Sequence, residues 1–130
     1  MKRRTAREKA LQALFQMDMS EIDAQQALAN ITEGEEKDEF LTTLVLQTNE
    51  NLSKIDEMIK THLERWSFDR LAKVDRNVLR LAVYEMIFDE DTPNKVIINE
   101  AIEIAKTFGD EKSSKFINGV LSKVQNTINK

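Results

Sequence analysis

The chain of 130 residues has no cysteine, one proline, three glycines, one histidine and one tryptophan. Without cysteine there are no disulfides and no thiolate chemistry. With His62 as the single histidine, a nucleophile–base triad has little to draw on. His62 reads as a surface or satisfied structural side chain rather than a metal ligand. The glycines form no phosphate-cradling loop. No segment reaches the roughly 18 unbroken apolar residues of a membrane span. The charged N-terminus lacks the apolar core of a secretory signal. Carboxylates are plentiful, but nothing in the pattern sets two of them in a dry cavity. The acidic stretch 32–39, with Glu33, Glu35, Glu36, Asp38 and Glu39 against Lys37, lacks the alternating ligands of a calcium loop and reads as a solvated linker. The expectation is a bacterial-style cytoplasmic protein that is not an enzyme and has no cofactor, no metal and no membrane partner.

What is present is helical periodicity. The densest apolar run is Val74 to Phe88. Val74, Val78, Leu79, Ala82, Val83 and Met86 recur at three and four, while Leu81 and Phe88 fall outside that stripe. A helix apolar over so wide an arc is expected at the centre of the core. Narrower stripes flank it. Ala10, Leu11, Leu14 and Phe15 mark a first helix, with Thr5-Ala6-Arg7-Glu8 as its capping box and Lys2, Arg3 and Arg4 as a flexible arm before it. Ser20 and Asp23 signal a second helix with Ala27, Leu28 and Ile31 inward. Phe40, Leu41, Leu44, Val45 and Thr48 mark a third. Ser53-Lys54-Ile55-Asp56 restarts the chain into a fourth, and Asp75 or Asp69 is expected to cap the central helix. Trp66 and Phe68 are expected to plug the gap between two halves. Thr92-Pro93 ends the central helix. Another helix runs from about Val96 to Thr107, with Gly109 as its C′ residue. The last carries Phe116, Ile117, Val120, Leu121, Val124 and Ile128, with a close helix crossing expected at Gly119. The reading is all-α: about seven helices in two small packed helical bundles, one domain over 1–130 with sub-bundles about 1–51 and 52–130.

Charge is unevenly spread. Residues 1–10 carry +4 from Lys2, Arg3, Arg4, Arg7 and Lys9 against Glu8, within a chain of net charge −4. A basic start on an acidic body reads either as a local anion site or as a solvated helix end. Phosphate backbones reward such a cluster through counterion release. Lys106, Lys112 and Lys115 surround Phe116 near the other end. An aromatic beside lysines can stack an unpaired base, but Phe116 also fits the buried stripe.

Three segments carry a family resemblance: Arg4 to Phe15, Val74 to Met86, and Ile98 to Gly109 with Lys115 to Leu121. Together they resemble the NusB family of bacterial transcription antitermination factors over nearly the whole chain. The resemblance implies an all-α fold, no catalysis and no cofactor. It implies pairing with NusE, a small-subunit ribosomal protein, and binding of the single-stranded boxA element of nascent ribosomal RNA. It also implies joining the RNA polymerase elongation complex with other Nus factors. Residue by residue, it assigns RNA contacts to Lys2, Arg3, Arg4 and Arg7, and to Phe116 with Lys115 beside it. Lys112 stands where family members carry an acid, which puts RNA affinity and specificity at that point in question. Glu85, Asp89 and Glu90 on the acidic central surface are candidates for NusE. Arg76, Arg80, Glu100 and Glu103 read more simply as structural ion pairs. Some such proteins are monomers and others dimers, and a homodimer that covers the arginine arm would regulate RNA access. Two other readings remain: a helical adaptor with no RNA site of its own, and the accessory RNA-binding domain of an RNA methyltransferase, although no methyltransferase follows before Lys130.

Overall fold

The computed structural model describes residues 1–128, so the last two positions of the expected 52–130 sub-bundle lie outside the described residues. Among the described residues there are seven α-helices and no strand: α1 Arg3–Ser20, α2 Ala24–Ile31, α3 Glu39–Glu50, α4 Leu52–Thr61, α5 Lys73–Phe88, α6 Asn94–Phe108 and α7 Ser113–Thr127. A short 3-10 turn, Phe68–Arg70, links α4 to α5.

Helix α5 is the centre. Every residue from Arg76 to Met86 is buried, and α1, α3, α4, α6 and α7 all pack on it. This is the arrangement its wide apolar arc predicts. Helices α1, α2 and α3 also pack on one another, and α6 runs along α7. One continuous core joins them, with Leu41, Ile55, Ile59, Leu79, Met86, Ile117 and Leu121 fully enclosed.

Helix starts depart from the expected signals in an informative way. Asp23 does cap α2, accepting the Gln26 N–H at 2.8 Å, and Asp38, read only as a linker acid, caps α3, accepting the Leu41 N–H at 2.9 Å. Ser20 instead ends α1, which closes on Glu21 in the left-handed region at φ 56°. The Thr5 capping box is not used. The α1 ladder begins three residues earlier, with the Ala6 N–H on the Lys2 carbonyl at 2.9 Å. Arg3 and Arg4 are therefore helical, not a flexible arm, and contacts to other helices hold this turn in place of a local cap. Helix α4 starts at Leu52, ahead of Ser53, and the Asp56 carboxylate goes to Arg80 instead of to its own backbone. Neither Asp69 nor Asp75 caps α5, whose N-cap is Ala72. Asp69 lies in the 3-10 turn. Helix α6 begins at Asn94, right after Pro93.

Both glycine expectations change as well. Gly109 has an extended φ of −94°, not a left-handed one. A side chain there would run into the Ser113 side chain and sit 2.9 Å from the Ala105 carbonyl. Close approach of the α7 start is thus its reason. Gly119 is exposed and faces open space, so no helix crosses there. Phe68 is buried, with the Arg76 and Arg80 guanidiniums each 5.4 Å from its ring centre. Trp66 does not plug the gap expected between two halves; it is 60% exposed.

Leu79 is fully enclosed at the middle of α5. Leu79→Ala is expected to lower unfolding free energy by about 3 kcal/mol, read as a lower urea midpoint at unchanged slope.

Candidate nucleic-acid interface

The basic start of α1 lies against the acidic residues of α5 and α6. Arg7 is buried, and its guanidinium donates to both Glu85 oxygens, at 2.9 Å to Oε1 and 3.0 Å to Oε2. Arg4 donates from Nε to Glu100 Oε1 at 3.0 Å while its side chain stays half exposed. Arg7 also lies 3.7 Å from Glu100. The Arg4 hydrogen bond, with the charges of Arg4 and Arg7, holds the Glu100 carboxyl below its ordinary value despite partial burial. Arg3 is exposed and lies 4.3 Å over the Phe40 ring. Lys2 is exposed. Lys9 turns to Glu35 in the acidic linker at 2.6 Å.

This geometry corrects two expectations. Arg7 is not an open cation for phosphate, because a buried carboxylate already holds it. Glu85 is not on the outer face of α5; it is 2% exposed. Burial of a carboxylate requires such a partner, since an unpaired charge in the interior is costly. Asp89 is half-buried and folds back on its own turn, accepting from the Asp91 and Thr92 N–H groups at 3.0 and 3.2 Å and from the Thr92 hydroxyl at 2.7 Å. Glu90 is exposed on that turn.

The second group of residues sits on α7. Lys112 is exposed at its N-cap position, and its N–H donates to Asp110 at 2.8 Å. Lys115 is exposed beside Phe116. Phe116 is partly buried: one side packs on the core and the other lines a shallow cleft of about 180 Å³. Phe116 thus belongs to the core stripe and keeps one side open. Lys106 points elsewhere and pairs with Glu103 at 3.2 Å. The cleft brings in residues that the sequence reading did not assign to the site, namely Trp66, Arg65, Gly119 and Lys123. The available signal was spacing, because Lys112, Lys115, Phe116, Gly119 and Lys123 fall on one face of a helix at intervals of three and four.

Arg76 and Arg80 are structural, as their simpler reading holds. Arg76 grips Asp18 on α1 at 2.7 and 2.8 Å. Arg80 grips Asp56 on α4 at 2.8 and 2.9 Å. Asn77 donates to Asp18 at 3.0 Å. Desolvation pushes the Asp18 carboxyl up, but hydrogen bonds from Arg76 and Asn77 and the charges of Arg76 and Arg80 outweigh it and hold it below its ordinary value. Asp75 moves the other way, raised chiefly by burial, with the charge of nearby Asp110 adding to the rise and the Ser113 hydroxyl opposing it. His62 bridges α4 to α7, with Nδ1 2.8 Å from the Met58 carbonyl and Nε2 2.8 Å from the Thr127 hydroxyl. Among the described residues, no group of three or more His, Asp or Glu could hold a metal ion, and no helix is long and apolar enough to cross a membrane.

A helical bundle that shows cations and a half-open aromatic on its surface has the form of a nucleic-acid-binding module. Comparison with known proteins makes this specific. The NusB family model matches residues 4–126. The transcription antitermination protein NusB of Bacillus licheniformis is 58% identical over 128 residues, covering 98% of this chain and 99% of that protein. The Bacillus pumilus protein of the same name is 54% identical, covering 98% of each. Among solved structures, T. maritima NusB superposes with a TM-score of 0.90 at 45% identity, covering 97% of this chain and 92% of that one. NusB in a complex of the antitermination factors NusB and NusE with double-stranded RNA superposes with a TM-score of 0.87 at 32% identity, covering 96% of each chain. The chain belongs to the NusB family.

Two outcomes follow from the ion pairs. Arg7→Ala leaves Glu85 buried without its guanidinium and is expected to cost about 3–5 kcal/mol, whereas Arg4→Ala should shift the melting temperature far less. Paired thermal melts check this. The second concerns acid. Asp18 and Glu100 have lowered values in the fold, so their contribution is full above the ordinary carboxylate value near about 4 and fades as pH falls through their folded values. Asp75 has the opposite sign, since its folded form takes up a proton more readily. Asp18→Asn should therefore lower stability at neutral pH by about 3 kcal/mol and flatten the acid limb of a stability–pH profile.

Proposed function

We propose that this chain is a transcription antitermination factor of the cytoplasm. It binds single-stranded boxA RNA of nascent ribosomal RNA transcripts together with NusE and joins the RNA polymerase elongation complex with other Nus factors. The observation that carries the reading is the NusB–NusE–RNA complex, whose NusB chain matches this one along nearly its full length. That complex contains double-stranded RNA. The single-stranded reading comes from the family resemblance and is supported by Phe116, whose ring lines an open cleft that an unstacked base can reach.

Lys2, Arg3, Arg4, Lys112 and Lys115 are the cations this reading sets on phosphates. Arg7 is kept as the anchor of the α1 start. Lys112 adds positive charge beside the stacking ring, which supports tighter and more salt-sensitive binding. Glu90 and the outer side of the turn with Asp89 are the acidic surface offered to NusE, a basic ribosomal protein. Glu85 is withdrawn from that surface by its burial. The names of the curated relatives favour this function over the adaptor and methyltransferase readings. A homodimer that covers the Arg3–Arg4 face would compete with RNA, and sedimentation over a concentration series, with and without RNA, reads that competition.

The test is an RNA mobility shift with boxA and scrambled RNAs, with and without NusE, over a salt series. Arg4→Ala and Lys115→Ala are each expected to reduce the salt slope by roughly one, with NusE tightening boxA binding. Salt-insensitive binding, or a slope untouched by both changes, would remove these residues from the RNA site.

A further inference from the structure

Trp66 is the single tryptophan of the chain, and it is 60% exposed. An aromatic so open contributes little to the core. Its ring stands edge-on to Phe116, with centroids 6.1 Å apart and planes at 77°. The two rings form adjoining walls of the α4–α7 cleft. Gly119 opens it further, since no atom lies within 4 Å of where its side chain would begin. A glycine inside an exposed helix costs about 1 kcal/mol relative to alanine, and no close packing accounts for it here. What it does provide is a gap beside two aromatic rings.

The wall is also held in shape. His62, through Met58 and Thr127, ties the end of α4 to the end of α7. The charges around the cleft are Arg65, Lys115 and Lys123 against Glu64 alone, which pairs with Lys123 at 3.0 Å. This positive local balance lies on a chain of net charge −4. Rings for a base beside cations for phosphates is the combination used by single-strand binders.

We propose that Trp66, Phe116 and the gap at Gly119 form a slot for one unpaired RNA base, with Arg65 and Lys123 holding the adjoining phosphates. The slot extends the strand path from Lys112, Lys115 and Phe116 across to the α4 side of the cleft. The inference rests on the RNA-binding function proposed above. It adds to it a stacking residue, Trp66, and a second pair of cations.

Trp66 reports on its own slot. Titration of the chain with single-stranded boxA RNA, followed by tryptophan emission, should show quenching that tracks the mobility shift. Trp66→Ala is expected to weaken RNA binding about tenfold, in the range of one lost base stack, with an unchanged melting temperature; Trp66→Phe should restore most of it. Gly119→Leu should raise the melting temperature yet weaken RNA binding, because it fills the gap. An abasic-site scan of the RNA should find one position where base removal weakens wild type about tenfold but leaves Trp66→Ala unaffected. RNA that binds with unchanged emission and equal affinity for Trp66→Ala would overturn the slot while leaving the RNA function standing. Absence of any RNA binding would overturn both. Quenching by an acidic peptide but not by RNA would show a protein-binding surface and likewise overturn the slot.

Discussion

Helix α5 is enclosed on every side, and its polar side chains must still find partners. Arg76, Asn77, Arg80 and Glu85 are all buried with it. Unpaired charge in the interior is costly, so each of these residues calls in a group from another helix. Asp18 comes from the C-terminal half of α1, Asp56 from α4, and Arg7 from the first turns of α1. The apolar contacts of α5 are tolerant of small shifts, whereas bidentate arginine–carboxylate pairs are directional. The same constraint therefore buries the centre and sets the rotation of its neighbours. Helix α1 is pinned to α5 at both ends, by Arg7 near its start and by Asp18 near its end.

The surface proposed for RNA is arranged by what these pairs leave over. Arg7 is spent on Glu85, and Arg4 is shared with Glu100. Arg3 and Lys2 stay at the surface because the helix begins early enough to carry Arg3 outward over Phe40. At the other end, α7 presents lysines and the open side of Phe116 because its opposite face, with Ile117, Val120, Leu121 and Val124, is fixed in the core. His62 and Trp66 bring the end of α4 alongside. The connection from one group to the other passes through α6, which Arg4 grips at Glu100 and which packs along α7.

Much of this was legible in the sequence where a residue's role depends on its near neighbours. The period of Val74 to Met86 predicted a central helix, and Asp23 marked a true cap. The family resemblance rested on the same local segments, and the comparisons bear it out. Charged residues were harder. Glu8 behind Thr5 and Asp56 behind Ser53 both look like capping boxes, but Asp56 is claimed by an arginine 24 positions away and Arg7 by a glutamate 78 positions away. Glu85 shows no local sign of being inward, because it lies on a helix whose outer arc was expected to be polar. Trp66 and Phe68 were both expected inside, and only the course of the short turn between them decides that Phe68 alone enters the core.

The sequence by itself determined the all-helical class, the central helix, the positions of most helices and the family. These follow from periodicity and breakers within a few residues of each other, where backbone geometry couples side chains directly. Tertiary structure alone decided which cations are buried and which are open, which carboxylates face inward, and that Trp66, Phe116 and Gly119 border one cleft. Those depend on the approach of helices distant in the chain. A long charged side chain reaches whichever opposite charge the packing brings near, and no spacing along the chain encodes that partner.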